Sequence, residues 1–366
     1  MPLDPSRAGG GAPPDLAFVG TYTRSGRSEG IHVFSYDRPS GRLTERSSIE
    51  DVDPSFLVFD PSHRFLFATS EGLTDDTGAV VSYAIDPTSG ALSQLSRQPT
   101  GGGEPCHLAP DPTGRFLLVA NHLNGSVTVF PVDAEGRIAP ASHFRQHSGS
   151  GPGPTQQGPH AHHVTFDPPG QRVLLTDKGI DKVVVYQLDL DSGELVPNDP
   201  PFGRIHAGAA PRHLAFGRDG SYAYVNGEAD MTLSTCTYDA ATGALHEVQV
   251  VSTLPEDAGG DDSSFSTAEV AVDPAGRFVY VSNRGHHSIA GFAIDSATGR
   301  VSPTGHVSTG GNTPRHFAIH PSGTRLYVAN QDSDTIVQFD VDSRSGELTP
   351  TGDVTQVGAP VCILFS

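Results

Sequence analysis

The stretch YDRPSGRL at residues 36–43 decides the fold, because the chain repeats it. Its pattern is a strand ending in Asp, a short turn carrying Gly, and then an apolar residue. The pattern returns at 85–92 (IDPTSGAL), 132–138 (VDAEGRI), 188–195 (LDLDSGEL), 238–245 (YDAATGAL), 294–301 (IDSATGRV) and 341–348 (VDSRSGEL). These are seven copies, whose glycines Gly41, Gly90, Gly136, Gly193, Gly243, Gly299 and Gly346 are spaced by 46 to 57 residues. The chemistry is that of a β-hairpin: Asp accepts backbone N–H groups in the turn and Gly supplies a positive φ.

A second pattern lies upstream of six of the hairpins: an apolar strand, D-P-x-G-R, and another apolar strand. It reads FDPSHRFLFA from Phe59, PDPTGRFLLV from Pro110, FDPPGQRVLL from Phe166, FGRDGSYAYV from Phe216, VDPAGRFVYV from Val272 and IHPSGTRLYV from Ile319. There are six copies of it against seven of the other. The chain ends in APVCILFS, which matches a first strand such as DPSFLVFD from Asp53. It begins with LAFVGTYT, GIHVFSYD and RLTERSSI, which match strands two, three and four. The C-terminal strand is therefore predicted to complete the N-terminal blade, removing an open sheet edge. Alternation such as Val127-Thr128-Val129-Phe130 supports strand over helix, and no segment has a helical period. The prediction is all-β: a seven-bladed β-propeller with four antiparallel strands per blade, spanning 15–366 as one domain.

Composition limits the partners. The Pro/Gly-rich residues 1–14 lack an apolar core and read as a disordered leader, not a signal peptide. No run of 18 apolar residues exists, so no membrane span is expected. A formal charge of −19 argues against nucleic acid and acidic membrane surfaces. Cys106, Cys236 and Cys362 are scattered without a CxxC, which fits a reducing cytoplasm. The expected state is a monomer or weak homodimer.

Repeats allow one chain to be aligned with itself. At the end of strand two stand Tyr22, Glu71, His122, Lys178, Glu228, Arg284 and Gln331. Each follows a small or turn-forming residue (Thr21, Ser70, Asn121, Asp177, Gly227, Asn283 and Asn330). A packing role would give seven similar residues; seven unlike polar groups at one mouth indicate a binding surface. At the start of strand one stand Ser55, Cys106, His162, Arg212, Ala268, Arg315 and Val361, followed by Phe56, His107, His163, His213, Glu269, His316 and Cys362. The recurring His of the second set reads as structural, tying neighbouring strands. His162, Arg212 and Arg315 break the pattern of their column. The Gly149–His163 segment, GSGPGPTQQGPHAHH, carries His160, His162 and His163 to the same mouth.

Two readings of this constellation stand side by side. In one, His162 transfers a proton near neutrality while Arg212, Arg284 and Arg315 hold a carboxylate or phosphate. Glu228 orients an Arg or shares the proton transfer, and Arg stabilises the oxyanion of an attacked lactone carbonyl. In the other, the charges merely satisfy one another around the channel. A zinc site built from HAHH and Glu228 suits the ligand types, but the i, i+2 histidines lack a nearby third ligand. No G-x-S-x-G, Walker loop or dinucleotide fingerprint appears.

The segments VGTYT (from Val19), DPSFLVFDP (from Asp53), EPCHLAPDPTGRFLLVAN (from Glu104) and GPHAHHVTFDP (from Gly158) resemble the bacterial lactonase family of seven-bladed propellers, of the 6-phosphogluconolactonase type. So do TDKGIDKVVVYQLD (from Thr176), APRHLAFGRDGSYAYVNGE (from Ala210), VYVSNRG (from Val279) and TGGNTPRHFAIHPSG (from Thr309). The sequence is also similar to the related carboxy-cis,cis-muconate cyclase. The resemblance runs from about Leu16 to the C-terminus. It implies an acid/base role for His162 with His160 beside it, and places Arg212, Glu228 and Arg284 in the catalytic set. It also implies that neither metal nor cofactor is needed. The expected function is hydrolysis of a sugar lactone, foremost 6-phosphogluconolactone, with His160, Arg315, Glu71, His122, Lys178, Gln331 and Tyr22 contacting a small anionic substrate. Lactone formation on a muconate-like diacid and a non-enzymatic interaction platform are the alternatives.

Overall fold

A computed structural model describes residues 15–71, 78–258 and 264–366. The expected leader, 1–14, lies outside the described residues. The strands, numbered β1–β28 along the chain, form seven four-stranded antiparallel sheets. Within each blade, consecutive strands pair in chain order from the axis outward. The innermost strands are β4 (Leu57–Phe59), β8 (Pro105–Pro110), β12 (Ala161–Phe166), β16 (Pro211–Phe216), β20 (Ser266–Val272), β24 (Pro314–Ile319) and β28 (Pro360–Phe365). They pack against one another around the axis.

β28 belongs to the first blade. It pairs antiparallel with β1 (Leu16–Thr21), in the order β28-β1-β2-β3, where β2 is Gly30–Tyr36 and β3 is Leu43–Glu50. The expected closure of the ring by the C-terminal strand is therefore present. The Ser366 N–H donates to the Leu16 carbonyl at 3.0 Å, and the Leu16 N–H to Ser366 Oγ at 3.0 Å.

The turn chemistry read from the repeats is seen in the geometry. All seven hairpin glycines have φ between 66° and 78°. In the upstream pattern Asp60, Asp111, Asp167 and Asp273 accept the N–H groups of Phe65, Phe116, Arg172 and Phe278 at 2.6–2.9 Å. Gly41 has a second reason to be glycine. A Cβ there would sit 2.6 Å from the Tyr327 hydroxyl, which donates to the Gly41 carbonyl at 2.7 Å and clasps the last blade to the first.

Each core lies between two blades. One joins Phe116, Leu118 and Val129 of the third blade to Val164, Val173 and Leu175 of the fourth, and the pattern recurs round the ring. A sheet covered on both faces has no reason to alternate. The second strands are accordingly buried end to end, as in β5 (Phe65–Ser70) and β9 (Phe116–Asn121). Outermost strands such as β27 (Leu348–Gln356) keep alternating exposure.

Candidate active site

The site is built at one end of the channel from two repeated backbone devices. The first is a β-bulge at the start of the innermost strands. Register shifts between Pro105 and His107, Ala161 and His163, and Pro314 and His316 leave Cys106, His162 and Arg315 as the extra residues. Neighbours on a regular strand point to opposite faces; a bulge re-aims one of them. This is why His162 can face the mouth while His163 stacks deeper in the channel against His107 and His213, at centroid distances of 4.1 and 5.0 Å.

The second device is a left-handed residue just before the strand. Asp53, Glu104, Ala210, Thr313 and Ala359 have φ of 42–56°, and each precedes a proline. Backbone held this way costs roughly 1–3 kcal/mol per residue, and such strain gathers at functional sites. It has a visible use. The carbonyls of these residues accept the N–H groups of Glu71, His122, Glu228, Gln331 and Tyr22 at 3.0–3.2 Å. In the fourth blade the His160 carbonyl does the same for Lys178. Six of the seven unlike residues of the sequence column are thus pinned by one recurring bond while their side chains vary, and the seventh, Arg284, lies in the ladder opposite Ser266.

These side chains line a cavity of 440 Å³. Its wall includes Tyr22, Glu71, His122, His162, Lys178, Arg212, Glu228, Arg284, Arg315 and Gln331. Ten of the eleven residues singled out from sequence therefore meet. His160 is not on the wall. Its Nδ1–H donates to the His122 carbonyl at 3.0 Å and its ring stacks on His122 at 5.0 Å, so it backs a wall residue.

Glu228 is the electrostatic hub. Its Oε1 lies 2.7 Å from Lys178 Nζ, and its Oε2 lies 3.0 Å from Arg212 Nε and 3.5 Å from Arg284 Nη2. Burial raises its pKa, but Lys178, Arg284 and Arg212 together outweigh that and hold the carboxyl far below the usual range. It stays a carboxylate and takes no proton near neutrality. Burial and the neighbouring Arg284 bring Arg212 down to about 10, still cationic at neutral pH. Across the mouth, Arg24 bridges Glu71 at 2.5 Å and Asp53 at 3.2 Å, and the Tyr22 hydroxyl donates to Glu71 at 2.9 Å.

His162 differs from the simple expectation of a histidine titrating near neutrality. Burial, and then Arg212, push its pKa well below 6.5. It is a neutral imidazole at physiological pH. Its Nδ1 is sealed from solvent without a hydrogen-bond partner among the described residues.

Beneath the mouth, the recurring histidines tie blades together. His107 Nδ1 accepts the Val164 N–H at 3.5 Å and His316 Nδ1 the Ile363 N–H at 3.3 Å, each from the next blade. His213 does more. Arg212 Nη1 donates to His213 Nε2 at 3.2 Å, and His213 Nδ1–H donates to Glu269 at 3.0 Å. That chain fixes both the His213 tautomer and the Arg212 fork. The zinc arrangement considered for HAHH is not assembled, since the three imidazoles diverge. Among the described residues no three His, Cys, Asp or Glu side chains are grouped to hold a metal ion.

Sequence reading missed Arg24, Ser25, Arg27, Glu104 and Ala359, which also line the cavity. Arg24 and Ser25 lie in a 3-10 turn, Thr23–Ser25, inside a β1–β2 connection that is long beside those of the third to seventh blades. Extra loop length at the mouth was the available signal. Cys106 was placed in its column without a role. It also lines the cavity, where burial pushes the thiol up to about 12 and keeps it un-ionised.

In all, the wall carries six cationic side chains against three carboxylates, although the whole chain is strongly acidic. The structure is thus a seven-bladed ring with a net cationic mouth, the outline of a propeller enzyme. The chain belongs to the lactonase family of seven-bladed β-propellers: the family described as "Lactonase, 7-bladed beta-propeller" matches residues 16–365. It is a lactonase. It is 37% identical over 303 residues to the 6-phosphogluconolactonase of Bacillus subtilis (strain 168), covering 82% of this chain and 84% of that one. It is 31% identical over 306 residues to a 6-phosphogluconolactonase of Formosa agariphila, covering 82% and 85%. The solved structure of the Pseudomonas aeruginosa periplasmic gluconolactonase, PpgL, superposes with a TM-score of 0.91 at 34% identity, over 96% of this chain and 98% of that one.

Proposed function

We propose that this site hydrolyses a sugar lactone, and that 6-phosphoglucono-1,5-lactone is its substrate. The observation that carries the reading is the cavity's excess of positive charge around the neutral imidazole of His162. An anionic lactone is drawn to that charge, and a neutral His162 is in the form that accepts a proton.

In this reading each group has one role. Water attacks the C1 carbonyl and gives its proton to His162. Arg212 and Arg284 donate to the carbonyl oxygen as it becomes an oxyanion. The tetrahedral intermediate collapses, the C1–O5 bond breaks, and the imidazolium returns the proton to the departing ring oxygen. Atoms balance as lactone plus water giving the aldonic acid. Glu228 holds Lys178, Arg212 and Arg284 in place and is not itself a proton carrier. Its low pKa supports that choice between orienting and proton transfer.

The direct test is the rate of 6-phosphogluconolactone disappearance with purified protein, against the spontaneous hydrolysis blank. Wild type is expected to exceed the blank and His162→Ala to lose about a hundredfold or more in kcat. If both proteins match the blank, the phospholactonase reading is wrong.

A further inference from the structure

Arg315 differs from every other cation at the mouth. Arg24 is paired with Glu71 and Asp53, Arg27 with Asp334, and Lys178, Arg212 and Arg284 with Glu228. Arg315 is half-buried on the cavity wall, yet its guanidinium has no hydrogen bond or ion pair among the described residues. It lies over the face of the Tyr22 ring, 5.0 Å from Cζ to the centroid, where Arg24 also lies at 4.0 Å. Its N–H donors, open to the solvent of the cavity and without a protein acceptor, are free to take an incoming one. A planar fork held against an aromatic ring is preorganised for a bidentate oxyanion.

Its place in the ring says which part of a substrate it meets. Arg315 opens the first strand of the seventh blade, and Tyr22 and Arg24 follow the first blade's second strand. His162 opens the fourth blade and Arg212 the fifth. In a ring of seven, those two groups face one another across the mouth. A lactone carbonyl beside His162 and Arg212 therefore turns the far end of the sugar toward Arg315. In a 6-phosphorylated 1,5-lactone the phosphate, carried on C6, is the group that extends farthest from the carbonyl.

The known relatives frame the question. The names of similar proteins specify a phosphorylated lactone in one case and gluconolactone in another, on one fold. The difference must lie away from the shared carbonyl. We infer that Arg315, steadied by the Tyr22 ring and flanked by Arg24, is the phosphate anchor that makes this enzyme prefer 6-phosphorylated over unphosphorylated lactones. This assignment rests on the lactonase reading above and adds the residue that sets substrate choice.

The test compares kcat/KM for 6-phosphogluconolactone and glucono-1,5-lactone in wild type, Arg315→Gln and Arg315→Lys, with thermal melts confirming that each variant is folded. Calorimetric binding of the products 6-phosphogluconate and gluconate runs in parallel. Wild type is expected to prefer the phosphorylated lactone, and Arg315→Gln to reduce the ratio of the two kcat/KM values by about tenfold or more. Arg315→Lys should fall between, because a point charge keeps attraction but loses the fork. Binding of 6-phosphogluconate should weaken in step. A ratio that is unchanged in Arg315→Gln, or a wild type without preference, overturns the assignment. If wild type turns over neither lactone, the hydrolase reading falls on its own. Calorimetry then decides Arg315: loss of 6-phosphogluconate binding in Arg315→Gln upholds it, and equal binding by both proteins overturns it.

Discussion

Lys178 Nζ lies 2.7 Å from Glu228 Oε1, and the two residues, 50 positions apart, occupy the same place in neighbouring blades. Equivalence in the repeat becomes contact across a blade boundary. A column that holds seven different residues thus sets complementary charges side by side. Glu228 gathers three cations in this way, and removing its charge would leave them facing one another.

Glu228→Gln is accordingly expected to lower stability by about 3 kcal/mol at neutral pH, as breaking a buried charge network does. Urea unfolding measures it. Because the folded-state pKa is depressed, the contribution is fully present above the unfolded value of 4.5 and is lost only as pH falls through the lower folded value. The gap between wild type and variant should therefore persist through pH 5. Turnover should drop about a hundredfold as Arg212 and Arg284 lose their alignment. A variant with the full wild-type rate would refute the orienting role.

The pH–rate profile tests His162. A base works deprotonated, so activity is present above its pKa and lost below it. Burial and Arg212 hold that pKa well under 6.5. The acid limb of kcat/KM should therefore fall below the ordinary histidine range, with a flat rate from about pH 6.5 to 7.5. A midpoint at 6.5 with glucono-1,5-lactone, which has no phosphate to titrate, would refute a depressed His162 base.

His206 makes an opposite case away from the mouth. It lies 2.8 Å from Glu247 and 2.6 Å from Asp230. Burial opposes its charge, but the two carboxylates raise its pKa overall. Its contribution is fully present below the unfolded value of 6.5 and is lost as pH rises through the folded value. His206→Gln should thus lower Tm more at pH 5.5 than at pH 9. Equal losses at both pH values would show that the ring acts by packing alone.

Deleting residues 360–366 removes β28 and bares the edge of β1, whose strand partner it is. An open edge invites pairing between chains. The truncated protein is expected to elute as aggregates on size exclusion and to lose its cooperative melt. A monomer that melts like the full chain would show that closure adds nothing to stability.

The number of blades, the closing strand and the gathering of the unlike polar residues at one end of the channel were all legible in the residues. The reason is locality. A hairpin needs Asp and Gly at set places, strands need their periods, and both recur at each repeat whatever the neighbours are. Aligning the repeats then showed which positions vary where packing would keep them alike, and ten of those residues do share one cavity. Charge state and pairing were not legible, because they depend on atoms brought together between blades. Only the tertiary structure makes His162 a neutral imidazole, turns His160 into a support for His122, and recruits Arg24 from a loop longer than its counterparts in the third to seventh blades. The same is true of Arg315, which has no ion-pair partner among the described residues while every other arginine at the mouth has one. Electrostatic energy depends on distance and burial, and a one-dimensional pattern carries neither.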